Sequence, residues 1–237
     1  MPRPKTTPDR TRSRANSGNA DRIEPLDDLL RTIRACRVCR DAPTTGTALP
    51  HEPRPVLQAD HRARLAISGQ APGVRVHASG RPFTDPSGDR LRDWMDMTSE
   101  VFYNPAKVAV IPMGFCFPGH DAKGGDLPPR RECSPLWREK VLSQLPGVEL
   151  LLLVGQYAQR WHLAGVQAGL VHESGKRAAT LTQTVRDWQR IMSETARPRL
   201  LPMPHPSWRN NSWLKANPWF EKELLPVLRA EVKKLTA

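Results

Sequence analysis

The chain has 237 residues, with 36 Lys and Arg against 24 Asp and Glu, a formal charge of +12, a pI near 10.2 and a mean hydropathy of −0.55. That length suits one α/β domain with a sizeable core, and so basic a balance points to a polyanionic partner, nucleic acid first, because phosphates supply most sequence-independent binding energy. No apolar run approaches the ~18 residues that span a bilayer and no signal-peptide core opens the chain, so a cytoplasmic protein is expected, in which four cysteines suit metal or catalytic use rather than disulfides.

In residues 1–22, Arg3, Lys5, Arg10, Arg12, Arg14 and Arg22 stand against Asp9 and Asp21, with almost nothing to bury. Such a stretch cannot offset its ordering entropy, so it is expected to be a disordered basic tail ahead of a folded domain over 23–237. Leu26, Leu29, Leu30 and Ile33 then recur at helical spacing, with Asp27 and Asp28 in the first turn, and this helix delivers Cys36-Arg37-Val38-Cys39. Asp41 to Asp60, with four prolines, reads as a long surface connection.

The run Leu65-Ala66-Ile67 predicts a buried strand that stops abruptly at Gly69-Gln70-Ala71-Pro72-Gly73, a tight turn where backbone can approach a ligand. A second turn, Ser79-Gly80-Arg81-Pro82-Phe83, leads to a helix over Asp89 to Met97 with Leu91, Trp94 and Met95 inward. Val108 to Ile111 predicts the second strand, Leu150 to Val154 the third and Leu200 to Met203 the fourth, ending at His205. Helices are expected after Cys133 (with Leu136, Val141 and Leu145), after Gly155, around Leu181 to Ile191 and over Phe220 to Leu235. Strands alternating with helices give an α/β fold: one central, mostly parallel four-stranded sheet flanked by helices. In such sheets ligands bind in the crevice outside the strand ends.

Cys36 and Cys39 form a Cys-x2-Cys pair, and Cys116 and Cys133 flank one Gly- and Pro-rich loop. Four thiolates suit a tetrahedral zinc or a cubane iron-sulfur cluster, and spacing alone does not choose between them. His51, His61, His77, His120, His162 and His172 show no ligand spacing and read as surface or loop residues.

Taken together, Gly69 to Gly73, Gly80-Arg81-Pro82-Phe83 with Ser87-Gly88, and His205-Pro206-Ser207 resemble the uracil-DNA glycosylase superfamily, with the nearest likeness to its iron-sulfur-containing branch, family 4. The resemblance runs from about Leu26 onward with the landmarks in family order. It implies a glycosylase acting on uracil-containing DNA and a [4Fe-4S] cluster held by Cys36, Cys39, Cys116 and Cys133. It also implies that Phe83 stacks on the flipped base, that Gln70 sits beside it with Gly69, Ala71, Pro72 and Gly73 lining the turn, and that His205 donates to the uracil oxygen. Ser207 is then expected at a phosphate, with Trp208 and Arg209 in the minor-groove loop or, alternatively, covering the core edge.

Three positions depart from the family 4 pattern, the first being Gln70, which the classical enzymes share but which replaces the usual Glu and so removes a carboxylate that could activate water. Ala71 stands where the classical enzymes have a catalytic Asp, and Pro112 stands where family 4 has the Asn that reads the base, leaving backbone near Met113 and Gly114 as a substitute reader. Asp85, two residues beyond Phe83, is a candidate for the missing carboxylate; as part of Asp-Pro-Ser-Gly it also reads as a helix cap. These departures keep open a non-catalytic iron-sulfur protein that binds uracil-containing or single-stranded DNA. A nucleosidase is disfavoured by the basic charge.

Overall fold

Apart from Arg199 at the start of the last one, the strands of the sheet are short runs of apolar or small residues, the pattern of strands covered on both faces. The computed structural model describes residues 25–164 and 179–237; the basic tail expected over 1–22 and His172 lie outside them. The strands are β1 (Leu65–Ser68), β2 (Val108–Val110), β3 (Leu150–Val154) and β4 (Arg199–Met203). They pair in the order β2-β1-β3-β4, and every pairing is parallel. Gln58 closes the outer edge of β2, bridging Val110 and donating its side-chain amide to the Phe102 and Val108 carbonyls at 2.9 and 2.7 Å, which removes a row of unpaired backbone groups.

Side chains alternate across a strand, and the two faces bury different sets. Leu65, Ile67, Val110, Leu152 and Met203 meet Leu91 and Trp94 of the helix Pro86–Met95 and Leu228 and Val232 of the helix Leu225–Thr236. Ala66, Ala109, Leu151 and Leu153 meet Leu29, Leu30 and Ile33 of the helix Leu26–Arg34, with Val141 and Ala158. Ile67 is fully buried, so truncation to Ala would cost about 2–5 kcal/mol. The chain leaves β1 to one side for β2 and returns on the other as β3, a topological switch that opens a crevice at the strand ends.

Several expected elements shift, each for a local reason. The helix expected from Asp89 begins at Pro86, because Asp85 is its N-cap and accepts the Ser87 N–H at 3.4 Å. After Cys133 the chain makes a wide π-turn over Ser134–Arg138 before the helix Glu139–Ser143. This rotates Leu136 outward, to 36% exposure, and buries Arg138 instead. The segment around Leu181 to Ile191 breaks into Leu181–Arg186 and Trp188–Glu194. The 41–60 connection is only partly surface: Leu49, Val56 and Leu57 are buried, and the Val56 N–H donates to the Phe115 carbonyl at 2.7 Å.

Candidate active site

The turn after β1 is fixed through its backbone. The Gly69 and Gln70 carbonyls accept the Met113 and Gly114 N–H groups at 2.9 and 3.0 Å, tying the turn to the segment after β2. Both N–H groups are thereby used, and the Met113 carbonyl accepts Ser134 Oγ at 2.9 Å, so three of the backbone groups expected to help read the base are engaged within the fold. Among the described residues the half-buried Gln70 amide has no hydrogen-bond partner and is free to meet a ligand. Ala71 beside it offers only a methyl group, and Pro72 is buried.

Phe83 lies over this turn, its ring 3.2 Å from where a Cβ on Gly69 would stand. Its backbone is left-handed, φ 54°, a conformation that costs a non-glycine residue about 1–2 kcal/mol. Three neighbours hold it. The Phe83 carbonyl accepts Arg92 Nη1 at 3.1 Å and Tyr103 Oη at 3.2 Å. Arg92 is itself held by Asp89 at 2.6 Å, and a Cβ at Gly88 would fall 1.8 Å from the Phe83 oxygen, so only glycine fits there. Strain retained at such a position is a mark of functional sites, and here it turns an aromatic face over the strand ends.

His205 follows β4 and packs on Gly155, whose φ is 84° and whose added Cβ would sit 3.4 Å from the His205 Cβ. The Ser207 N–H donates to His205 Nδ1 at 3.2 Å, and Asn210 Nδ2 holds the His205 carbonyl at 2.7 Å. An Nδ1 that accepts leaves the ring proton on Nε2, so the imidazole presents a fixed donor. Burial holds His205 below its ordinary pKa, and the fields of Asp85 and Asp126 only partly offset this. The ring is therefore neutral near pH 7.

The two carboxylates that reach His205 differ in their duties. Asp85 serves as the helix cap. Asp126, which sequence reasoning missed, comes from the hairpin that follows Cys116: its Oδ2 lies 3.3 Å from an ideal Cβ on Gly73, and its Oδ1 lies 3.3 Å from His120 Nδ1. Nothing local in Lys123-Gly124-Gly125-Asp126 announces a partner in a distant turn.

Under the site sits a buried cation. Arg138 donates to the Ile111 and Pro112 carbonyls at 2.6 Å each, to Ser68 Oγ at 3.0 Å and to His162 Nε2 at 2.6 Å. Burial pulls its pKa down to about 10. Burial, then the neighbouring guanidinium, pushes His162 down to about 3, so His162 is a packed partner rather than the surface residue expected. Pro112, at the position of the expected base reader, has its carbonyl committed to Arg138.

The rim is exposed. Arg90 Nη1 donates to the Ser207 carbonyl at 3.3 Å and to Asn211 Oδ1 at 2.8 Å. Trp208 is 73% exposed, so it does not cover the core edge, and the Arg209 guanidinium lies 5.8 Å from its ring. Asp121, at the hairpin tip, feels the charge of Arg209, which places the tip opposite this rim.

Cys36 follows the first helix, Cys39 lies in the short helix Val38–Asp41, Cys116 follows β2 and Cys133 precedes the π-turn. Cys133 feels the charge of the other three thiols, Cys116 that of Cys39 and Cys36, and Cys39 that of Cys36, so the fold gathers all four. Burial pushes Cys116 up to about 12 and raises Cys133 and Cys39. The Phe115 N–H donates to Cys133 Sγ at 3.3 Å. Among the described residues, no group of three or more His, Cys, Asp and Glu side chains is arranged to hold a metal ion, and no helix is long and apolar enough to cross a membrane. An aromatic platform and a histidine of fixed tautomer at the ends of parallel strands, in a strongly basic chain, agree with the comparison to known families: residues 57–229 match the Uracil DNA glycosylase superfamily, and the chain belongs to it.

Proposed function

We propose that the protein is a monofunctional DNA glycosylase that hydrolyses the N-glycosidic bond of uracil, or a related deaminated base, and leaves an abasic site. The observation that carries this reading is His205, half-buried, neutral and tautomerically fixed with Nε2–H as its donor, across the strand ends from Phe83. A base inside a stack is out of reach, so the nucleotide is extruded into the pocket. Its base stacks on Phe83, and the free Gln70 amide meets its polar edge. The C1′–N1 bond then breaks with its electron pair going to the base, and His205 Nε2–H stabilises the charge growing on the base oxygen. Donors placed in advance in this way are commonly the largest catalytic contribution. Water adds to C1′ and loses a proton, and the departed base anion takes one up. Trp208 and Arg209 fill the gap in the stack, and Ser207 holds a phosphate.

We also propose that Cys36, Cys39, Cys116 and Cys133 hold a [4Fe-4S] cluster. One tetrahedral zinc needs its sulfurs about 3.8 Å apart, given Zn–S bonds of ~2.3 Å. A cubane cluster takes four thiolates at wider spacing; Cys133 lies in the field of the other three thiols, and the Phe115 N–H donated to Cys133 Sγ would stabilise a ligated thiolate. When bound, the cluster ties the first helix to the loop before the π-turn, a structural service outside the base chemistry. Protein purified without oxygen should be brown and carry iron and acid-labile sulfide; stoichiometric zinc without iron, after growth in ample iron, contradicts this.

The test of function is incubation with uracil-containing single- and double-stranded oligonucleotides followed by alkali. Scission at the uracil position is expected. Tight binding without scission favours the second reading, a non-catalytic DNA-binding protein, which the methyl of Ala71 and the engaged Pro112 carbonyl support.

A further inference from the structure

The motif turn brings no carboxylate to the reaction, since residue 71 is Ala and residue 70 is Gln. A sugar that becomes cationic as its bond breaks gains most from a fixed anion in a site about to be closed by substrate. The described chain offers two carboxylates whose fields reach His205, Asp85 and Asp126. Asp85 is engaged as an N-cap, accepting the Ser87 N–H.

Gly73 distinguishes the other. Its backbone is ordinary, φ −81° and ψ 175°, so conformation does not demand glycine there. Space bears on it instead: the Asp126 Oδ2 lies 3.3 Å from where a Cβ would stand, tighter than ordinary contact, so an added methyl would push the carboxylate back by a few tenths of an ångström. The side chain absent at position 73 is replaced by a carboxylate from another loop. The hairpin that carries it is built for this approach. His120 and Asp126 form an antiparallel bridge, and the Leu127 N–H donates to the Gly119 carbonyl at 2.9 Å. At the tip, Asp121 Oδ1 accepts the Lys123 and Gly125 N–H groups at 2.8 Å each. His120 Nδ1, 3.3 Å from Asp126 Oδ1, steadies one oxygen and leaves Oδ2 toward the turn.

We propose that Asp126, held against Gly73 by the hairpin 119–127, is the catalytic carboxylate of this glycosylase, contributed by a loop outside the motif turn. It stabilises the sugar cation as the C1′–N1 electron pair leaves with the base, then accepts the proton of the water that bonds to C1′ and passes it to solvent. The net reaction remains one water consumed and one base released. The proposal rests on the glycosylase reading, and the experiment separates the two.

Asp126→Asn should lower single-turnover release of uracil by about 10² or more, comparable to removing one preorganised group, while affinity for uracil-containing DNA stays within a few-fold. Affinity for an oligonucleotide with a cationic pyrrolidine in place of the sugar should fall by about tenfold or more, and affinity for its neutral tetrahydrofuran counterpart should hold, because only the former resembles the transition state. Gly73→Ala should lower the rate in the wild-type background and add little to Asp126→Asn, the non-additivity expected of two residues in contact. Asp126→Asn at the wild-type rate, with His205→Ala impaired, overturns the proposal and leaves the glycosylase reading standing. So does a rate loss confined to Asp85→Asn. A wild-type protein that binds uracil-containing DNA but never releases the base overturns both.

Discussion

The two walls of the pocket are made in opposite ways. The Phe83 wall is over-determined: a left-handed residue held by Arg92 and Tyr103 through its carbonyl, with Gly88 packed below and Phe102 edge-on at 6.1 Å. The opposing hairpin, 119–127, is mostly exposed and is held by its own turn bonds, with Asp126 reaching Gly73. On the proposed function, the first wall is finished before DNA arrives, whereas the second would gain its dry surroundings from the substrate. Damage to the first should reach the fold; damage to the second should reach only the chemistry.

The largest expected effect tests the donor between the walls. His205→Ala removes the Nε2–H and should lower single-turnover uracil release by about 10²–10³, with DNA affinity nearly unchanged. Gly88→Ala breaks the rigid wall: a Cβ 1.8 Å from the Phe83 oxygen must displace backbone, so unfolding should lose about 1–3 kcal/mol. Excision should fall about 10²-fold with the misplaced ring. If the thermal midpoint and the rate both hold, the Phe83 wall is not rigid.

His162, the partner of the buried Arg138, supplies a pH test. Its pKa is near 6.5 when unfolded and about 3 when folded, so the unfolded chain binds more protons in between. Stability should be full above pH ~6.5 and decline as pH falls toward 3. His205, also held low by burial, acts in the same direction. The thermal midpoint should therefore drop on acidification from pH 7 to 4, and His162→Gln should shrink that drop; an unchanged pH profile in the variant contradicts the buried neutral assignment.

Asp121→Ala sharpens the contrast from the other side. It unhooks two N–H groups at the exposed hairpin tip, so the thermal midpoint should barely move, within the ±0.5 kcal/mol usual for surface changes, while uracil release slows several-fold. A large loss of stability would show that the hairpin belongs to the rigid frame. The smallest effect on stability is expected at the rim. Trp208→Ala should weaken DNA binding by about 1–3 kcal/mol if the ring stacks on a base, without altering the thermal midpoint.

How much of this was legible in the sequence follows from range. The strands were readable because a run such as Leu150 to Val154 is buried on both faces, and the Phe83 and His205 landmarks sit in contiguous turns. Asp85 was ambiguous from sequence, since a cap and a catalytic carboxylate look alike until Ser87 is seen donating to it. Arg138 was hidden because the π-turn over Ser134–Arg138 departs from the 3.6-residue period that placed Leu136 inside. Asp126 was hidden because its meaning lies in Gly73, a contact that periodicity does not encode. The segment around Gln58 reads as loop, yet its side-chain amide finishes the edge of β2.

On the proposed function, Phe83 and His205 form a site that releases uracil from DNA. The most direct measurement is single-turnover release of free uracil from one labelled oligonucleotide, by the wild-type protein and by His205→Ala, beside a matched oligonucleotide carrying thymine. Release is expected from the uracil strand alone, with near-abolition in His205→Ala while both proteins bind that strand equally. Folded wild-type protein that binds the uracil strand and leaves the base in place, or release undiminished in His205→Ala, would contradict that reading.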